Sequence, residues 1–268
     1  MRDLYLVDLK RILKDKLFRV TCILALVFAA INPILNKALF AVLDLDELLG
    51  GTVTAKSMLF SAFAPGDNLG IVMPILMAIV VCKDFSQGTV RNKIISGHSR
   101  RSVFLSHLAS ATTVICSVML VHALLTLGIS LFLFDYQVGA FTAADLGYLL
   151  ISLVFEMLVY AAIAAIVTTI AALAKSTGLC ILLYLAVSLG STLIGAIFQA
   201  VAIFLPSDAA GYGAIELVNA LNIFTSTMIG AGSAYTAKEI LYILLAPVLI
   251  IVGCTALGLL RFERKDLK

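Results

Sequence analysis

Residues able to do chemistry are few in this chain of 268 residues. Gly50-Gly51-Thr52-Val53-Thr54-Ala55-Lys56-Ser57 comes within one residue of a phosphate-binding loop. Ala55 stands where a second glycine would let backbone amides wrap a phosphate, and no strand leads into the segment. Ala174-Lys175-Ser176 fails in the same way, with no glycine before it. Gly190-Ser191 invites comparison with an intramembrane serine protease, but His98, His107 and His122 all precede it and no histidine follows. Ser191 and Gly195, four apart, suit close helix packing instead. Cys22, Cys82, Cys116, Cys180 and Cys254 lack metal-ligand spacing and read as free thiols packed among apolar residues. The sequence thus predicts no catalytic residue, no metal site and no cofactor bound by this chain.

The elements that must carry any function are apolar. Hydrophobic residues make up 62% of the chain and charged residues 13%, against roughly 25% charged in ordinary soluble domains. The apolar residues fall in long runs, which read as membrane helices. Six spans are expected, near 17–36, 67–83, 104–134, 144–173, 177–199 and 239–260, in a single all-α domain over 1–268. The third and fourth exceed the roughly 20 residues a straight crossing needs, so tilt or an extra turn is expected. The first run follows a long charged segment with no small-residue cleavage site, so it reads as a retained span. The net charge of +3 gives no reason to expect nucleic acid.

Basic residues set the orientation. Arg2, Lys10, Arg11, Lys14, Lys16 and Arg19 precede the first span, and Lys83, Arg91, Lys93, Arg100 and Arg101 lie between the second and third. Lys175 lies between the fourth and fifth, and Arg261, Arg264, Lys265 and Lys268 follow the sixth. Only Lys37, Lys56 and Lys238 fall on the other side. Basic loops stay cytoplasmic, so both termini are expected inside a cell membrane.

The first sixteen residues read as an amphipathic helix with Leu6, Leu9, Leu13 and Leu17 on one stripe, either lying in the inner interface or serving as a basic flank. The external segment 37–66 carries Asp44, Asp46 and Glu47. The other, 200–238, contains a helical stretch through Ile215, Val218, Leu221, Phe224 and Met228, lying on or dipping into the outer leaflet. Within the spans, His122 and Glu156 are polar residues that are costly in lipid. They either line a transport path, pair with each other, or make a structural polar contact.

The loop from Asp84 to Arg101 differs in kind. Gly88 and Gly97 bound a short helical stretch, with Thr89 as a candidate N-cap and Gly97 as the stop. Ile94 and Ile95 give it an apolar patch, and Arg91 and Lys93 give it charge. Such a helix suits docking into a groove on a cytoplasmic partner.

These residues resemble the corresponding loop of ABC-2 type transporter permeases: Asp84, Gly88-Thr89, Arg91, the pair Ile94-Ile95, Gly97 and Arg100. The layout is similar too, from the amphipathic lead through six spans to a helical external segment before the last. The resemblance implies a coupling helix seated on separate cytoplasmic ABC ATPase subunits, which bind the ATP, and a second permease chain, identical or related. Arg91 and Lys93 would then meet acidic residues of the ATPase. Export is expected rather than import, because the family mostly exports and the sequence shows no external binding domain. The substrate stays open. So do two rival readings: an ion-gradient-driven secondary transporter, and a non-transporting sensor or resistance subunit.

Overall fold

The computed structural model describes residues 2–43, 53–65, 68–86, 88–137, 141–174, 176–205, 211–225 and 237–264. Gly50 and Gly51, the acidic group at 44–47, Lys175, Ser226 and Met228 lie outside the described residues. Those described form ten helices and no strand. They are α1 (Arg2–Lys14), α2 (Lys16–Leu43), α3 (Ala55–Phe63), α4 (Asn68–Ser86), α5 (Thr89–Ile95), α6 (Arg100–Leu133), α7 (Ala143–Leu173), α8 (Thr177–Phe204), α9 (Tyr212–Leu221) and α10 (Ala237–Arg264).

The chain is an all-α, polytopic membrane protein. α2, α6, α7, α8 and α10 are each long and apolar enough to cross a membrane. Their exposed surfaces are rich in Leu, Ile and Val, as lipid-facing surfaces must be. The expected second span is less simple. α4 qualifies as a crossing only together with α5, across a 48° bend. Its 19 residues rise about 28 Å, barely the hydrocarbon thickness of about 30 Å.

α3 accounts for part of that shortfall. Thr54 and Ser57 form a capping box at its start, with Ser57 N–H on Thr54 Oγ1 at 3.2 Å and Thr54 N–H on Ser57 Oγ at 3.1 Å. The Ala55 and Lys56 amides donate to the Asp135 and Tyr136 carbonyls just beyond α6, at 2.9 and 3.0 Å. Of the amides that a phosphate would need, those of residues 54–57 are therefore already bonded. At its other end, Tyr160 near the middle of α7 donates to the Phe63 carbonyl at 2.7 Å. Leu59, Phe60 and Phe63 are buried. α3 thus runs into the bundle before α4 begins.

α9 also leads inward. Ser191 Oγ–H donates to Asn222 Oδ1 at 2.9 Å, and Asn222 Nδ2 donates to the Ser191 carbonyl at 2.8 Å. A Cβ on Gly195 would strike Thr225 and Asn222. Ser191 and Gly195 therefore serve helix packing. α7 is the most enclosed of the long helices and packs against α4, α6, α8 and α10. None of the five cysteines forms a disulfide.

Candidate functional site

α5 owes its limits to two glycines in the left-handed region, Gly88 at φ 75° and Gly97 at φ 96°. Gly97 N–H donates to the Ile94 carbonyl at 3.0 Å, and His98 N–H donates to the Lys93 carbonyl at 3.2 Å. That pair of bonds is a Schellman stop. At the other end the N-cap is Gly88, and Thr89 is the first helical residue instead of the cap. The cap shifts because a left-handed Gly88 lets Asn92 N–H reach its carbonyl, at 3.0 Å.

One side of α5 is anchored. Val90 is buried with Leu4, Val103, Phe104 and Phe262, and Ile94 packs on the same group. The other side is open: Arg91 and Asn92 are exposed, and Ile95 is 73% exposed.

Beside that anchor lies a buried ionic cluster. Lys93 of α5 pairs with Asp8 of α1. Asp8 also accepts the Ser106 hydroxyl at 2.6 Å. Asp84, near the end of α4, pairs with Arg11 of α1. His107 of α6 sits between the two pairs, its Nε2 3.4 Å from the Lys93 ammonium and its Nδ1 3.4 Å from Asp84 Oδ2. An ammonium only donates, so Nε2 accepts and the ring proton belongs on Nδ1, facing the carboxylates.

Burial alone would push the Asp8 carboxyl up. His107, the Lys93 ammonium and the Ser106 hydroxyl outweigh it and hold Asp8 below the usual carboxylate range. Burial lowers the Lys93 ammonium and the Arg11 guanidinium, against the opposing pull of Asp8 on each. For the Asp8–Lys93 pair, the controlling fact is a carboxylate kept ionised by Lys93, Ser106 and His107. Asp8, Asp84 and His107 are close enough together to hold a metal ion. The donor set does not suit one, because Lys93 and Arg11 already neutralise both carboxylates.

A second tie joins the same end of the bundle. Ser99 caps α6, accepting Ser102 N–H at 3.2 Å. Arg100 donates to the carbonyls of Phe262 and Glu263 at 3.3 and 2.8 Å, placing a cation at the carbonyl end of α10. Arg101 pairs with Glu263.

The residues singled out in the sequence therefore divide. Asp84, Lys93 and Arg100 turn inward and bond within the chain. Lys93 is thus committed to Asp8 rather than offered to a partner. Gly88, Thr89 and Gly97 shape the helix, and Ile94 packs inward. Arg91 and Ile95 point away. Sequence reasoning missed Asp8, Arg11, Val90, Ser106 and His107. Asp8 carried a signal: it is an acid between Leu4 and Ile12 at helical spacing, and all three are buried.

No hydrogen bond or ion pair joins His122 and Glu156 among the described residues. His122 Nδ1 donates to the Ala25 carbonyl of α2 at 2.9 Å. Glu156 is 3% exposed on α7, and its Oε2 has no hydrogen-bond partner among the described residues. Tyr160, whose hydroxyl meets the end of α3, lies one turn away. Comparison with protein-family models, curated proteins and solved structures gives no match.

Proposed function

We propose that this chain is the membrane subunit of an ATP-driven exporter, similar to ABC-2 type permeases and worked by ATPase subunits on separate chains. The observation that carries the reading is α5. It is a short, glycine-bounded helix that presents Arg91 and Ile95 outward and roots Val90 and Lys93 into α1 and α6. The abundance of Lys and Arg at this end supports its placement in the cytoplasm, with both termini inside and six crossings between them.

ATP binding would draw the ATPase subunits together and push on the outer face of α5. Because α5 is tied to α1 through Asp8 and to α6 through His107, a push there moves helices rather than bending a loop. α6 is tied in turn to α10 through Arg100 and Glu263. Two permease chains, identical or related, would then change access to a path between them. α1 acts as an interfacial helix in this scheme, and ATP chemistry stays with the partner.

The test is Arg91→Glu in the full chain expressed with its native partners. Co-purification of ATP-hydrolysing activity should fall about tenfold, equivalent to 1.4 kcal/mol, with membrane insertion unchanged. Unchanged co-purification argues against a docking role for α5.

Glu156 favours a second reading, transport driven by an ion gradient, because a buried unpaired carboxyl beside an interrupted span is the kind of feature such transporters use. Substrate movement by the purified chain alone, on a proton gradient and without ATP, would establish that reading instead.

A further inference from the structure

We propose that a crevice between α1, α2 and α6 is a binding site for an anionic phospholipid, with one acyl chain held inside and the headgroup on the basic row of α1. The crevice has a volume of about 430 Å³, within the roughly 300–1,000 Å³ of small-molecule sites. Its walls are apolar: Leu9 and Leu13 from α1, Phe18 and Ala25 from α2, Val118 and Val121 from α6.

The polar groups that reach it make few demands. Thr113 donates to the Ala109 carbonyl at 2.9 Å and lies 3.1 Å from the Tyr5 hydroxyl. A hydrocarbon chain satisfies such a space, whereas a polar ligand would find too few partners in it. The crevice opens sideways. Leu26 and Val121 on its rim are 56% and 54% exposed, on the surface that meets lipid. A chain can therefore enter from the bilayer without leaving it.

Charge commits the occupant. Lys10 and Lys14 follow Leu9 and Leu13 by one position each, so a basic row runs beside the apolar row of α1. Lys16 and Arg19 continue it at the start of α2. All four are exposed and have no acidic partner among the described residues, unlike Arg11, which is paired with Asp84. An apolar slot bordered by unneutralised cations at the interface suits a lipid with a negative headgroup. α1 carries Asp8 on the flank of its apolar row away from the basic row, so lipid and ionic cluster hold the same helix from different faces.

Native mass spectrometry of the full chain tests this, with palmitoyl-oleoyl phosphatidylglycerol and phosphatidylcholine offered in equal amounts. One phosphatidylglycerol should be retained over phosphatidylcholine by roughly tenfold. The double variant Lys10→Gln/Lys14→Gln should bring the ratio close to one. Ser117→Trp, placed on the exposed wall of the crevice, should remove the tightly held lipid of either kind. Equal retention of the two lipids by the unaltered chain, or undiminished retention in Ser117→Trp, overturns the proposal. A phosphatidylglycerol with a photoreactive acyl chain gives a readout that needs no substitution. It should label peptides within 9–26 and 113–125, and labelling confined to other helices also overturns the proposal.

Discussion

Asp8 bears more of the arrangement than any residue of the loop that first drew attention. It is buried, yet it carries a charge, and Lys93, Ser106 and His107 all converge on it. Removing one partner of a buried pair leaves the other uncompensated, which costs about 3–5 kcal/mol. Asp8→Asn should therefore lower the thermal unfolding midpoint in detergent, and Asp8→Asn/Lys93→Met should recover part of the loss. The pH dependence has a definite sign. The Asp8 carboxyl is held below its ordinary value, about 3.9 in unfolded chains. Its stabilisation is complete above that range and is lost as pH falls through the lowered folded value. The gap in midpoint between the unaltered chain and Asp8→Asn should be widest near neutrality and close only below about pH 4. Glu156 is the opposite case, a buried carboxyl whose Oε2 has no hydrogen-bond partner among the described residues. Such groups weaken a fold, and inside a membrane span they mark candidate functional sites. Glu156→Leu should raise the unfolding midpoint by a few degrees, about 1 kcal/mol, and abolish transport. Full transport in that variant would reduce Glu156 to a structural accident.

Among the elements, α5 was the most legible because glycines punctuate it. Gly88 and Gly97 mark its ends in the sequence, and the chain turns left-handed at both. Gly97→Ala forces a side chain into that conformation at a cost of about 1–2 kcal/mol. Hydrogen exchange at the Gly97 and His98 amides should quicken by roughly tenfold, while exchange in α6 stays slow. The first helix was half legible. Leu6, Leu9 and Leu13 of the expected stripe lie on α1, but Leu17 falls past the break at Asp15, in α2. Leu6 and Leu13 remain exposed, while Leu4, Asp8 and Ile12 face the protein. A helix lying between lipid and protein has two apolar sides, and hydropathy alone does not say which one packs. α3 was not legible at all. Nine residues are too few to register as a span, and their inward course depends on Asp135 and Tyr160, far away in sequence. The ionic cluster was hidden for the same reason, since Asp8, Asp84, Lys93 and His107 come from four different helices.

For the whole molecule, composition and the distribution of Lys and Arg fixed the class: an all-α membrane bundle with one basic end. Burial adds a division that composition does not show. α7 is enclosed, while α2, α8 and α10 leave most of their surface free for lipid or a second chain. The basic end holds α1, α4, α5, α6 and α10 together by ionic and backbone ties. On the proposed reading, α5 is the entry for force from outside the membrane. The most direct test places a photo-crosslinking residue at Ile95, the most exposed apolar position of α5, in the full chain within its native membranes. One dominant adduct is expected, to a subunit that binds and hydrolyses ATP, with loss of that adduct when Arg91→Glu is added. No adduct to an ATP-hydrolysing subunit, with substrate transport intact, would contradict that reading.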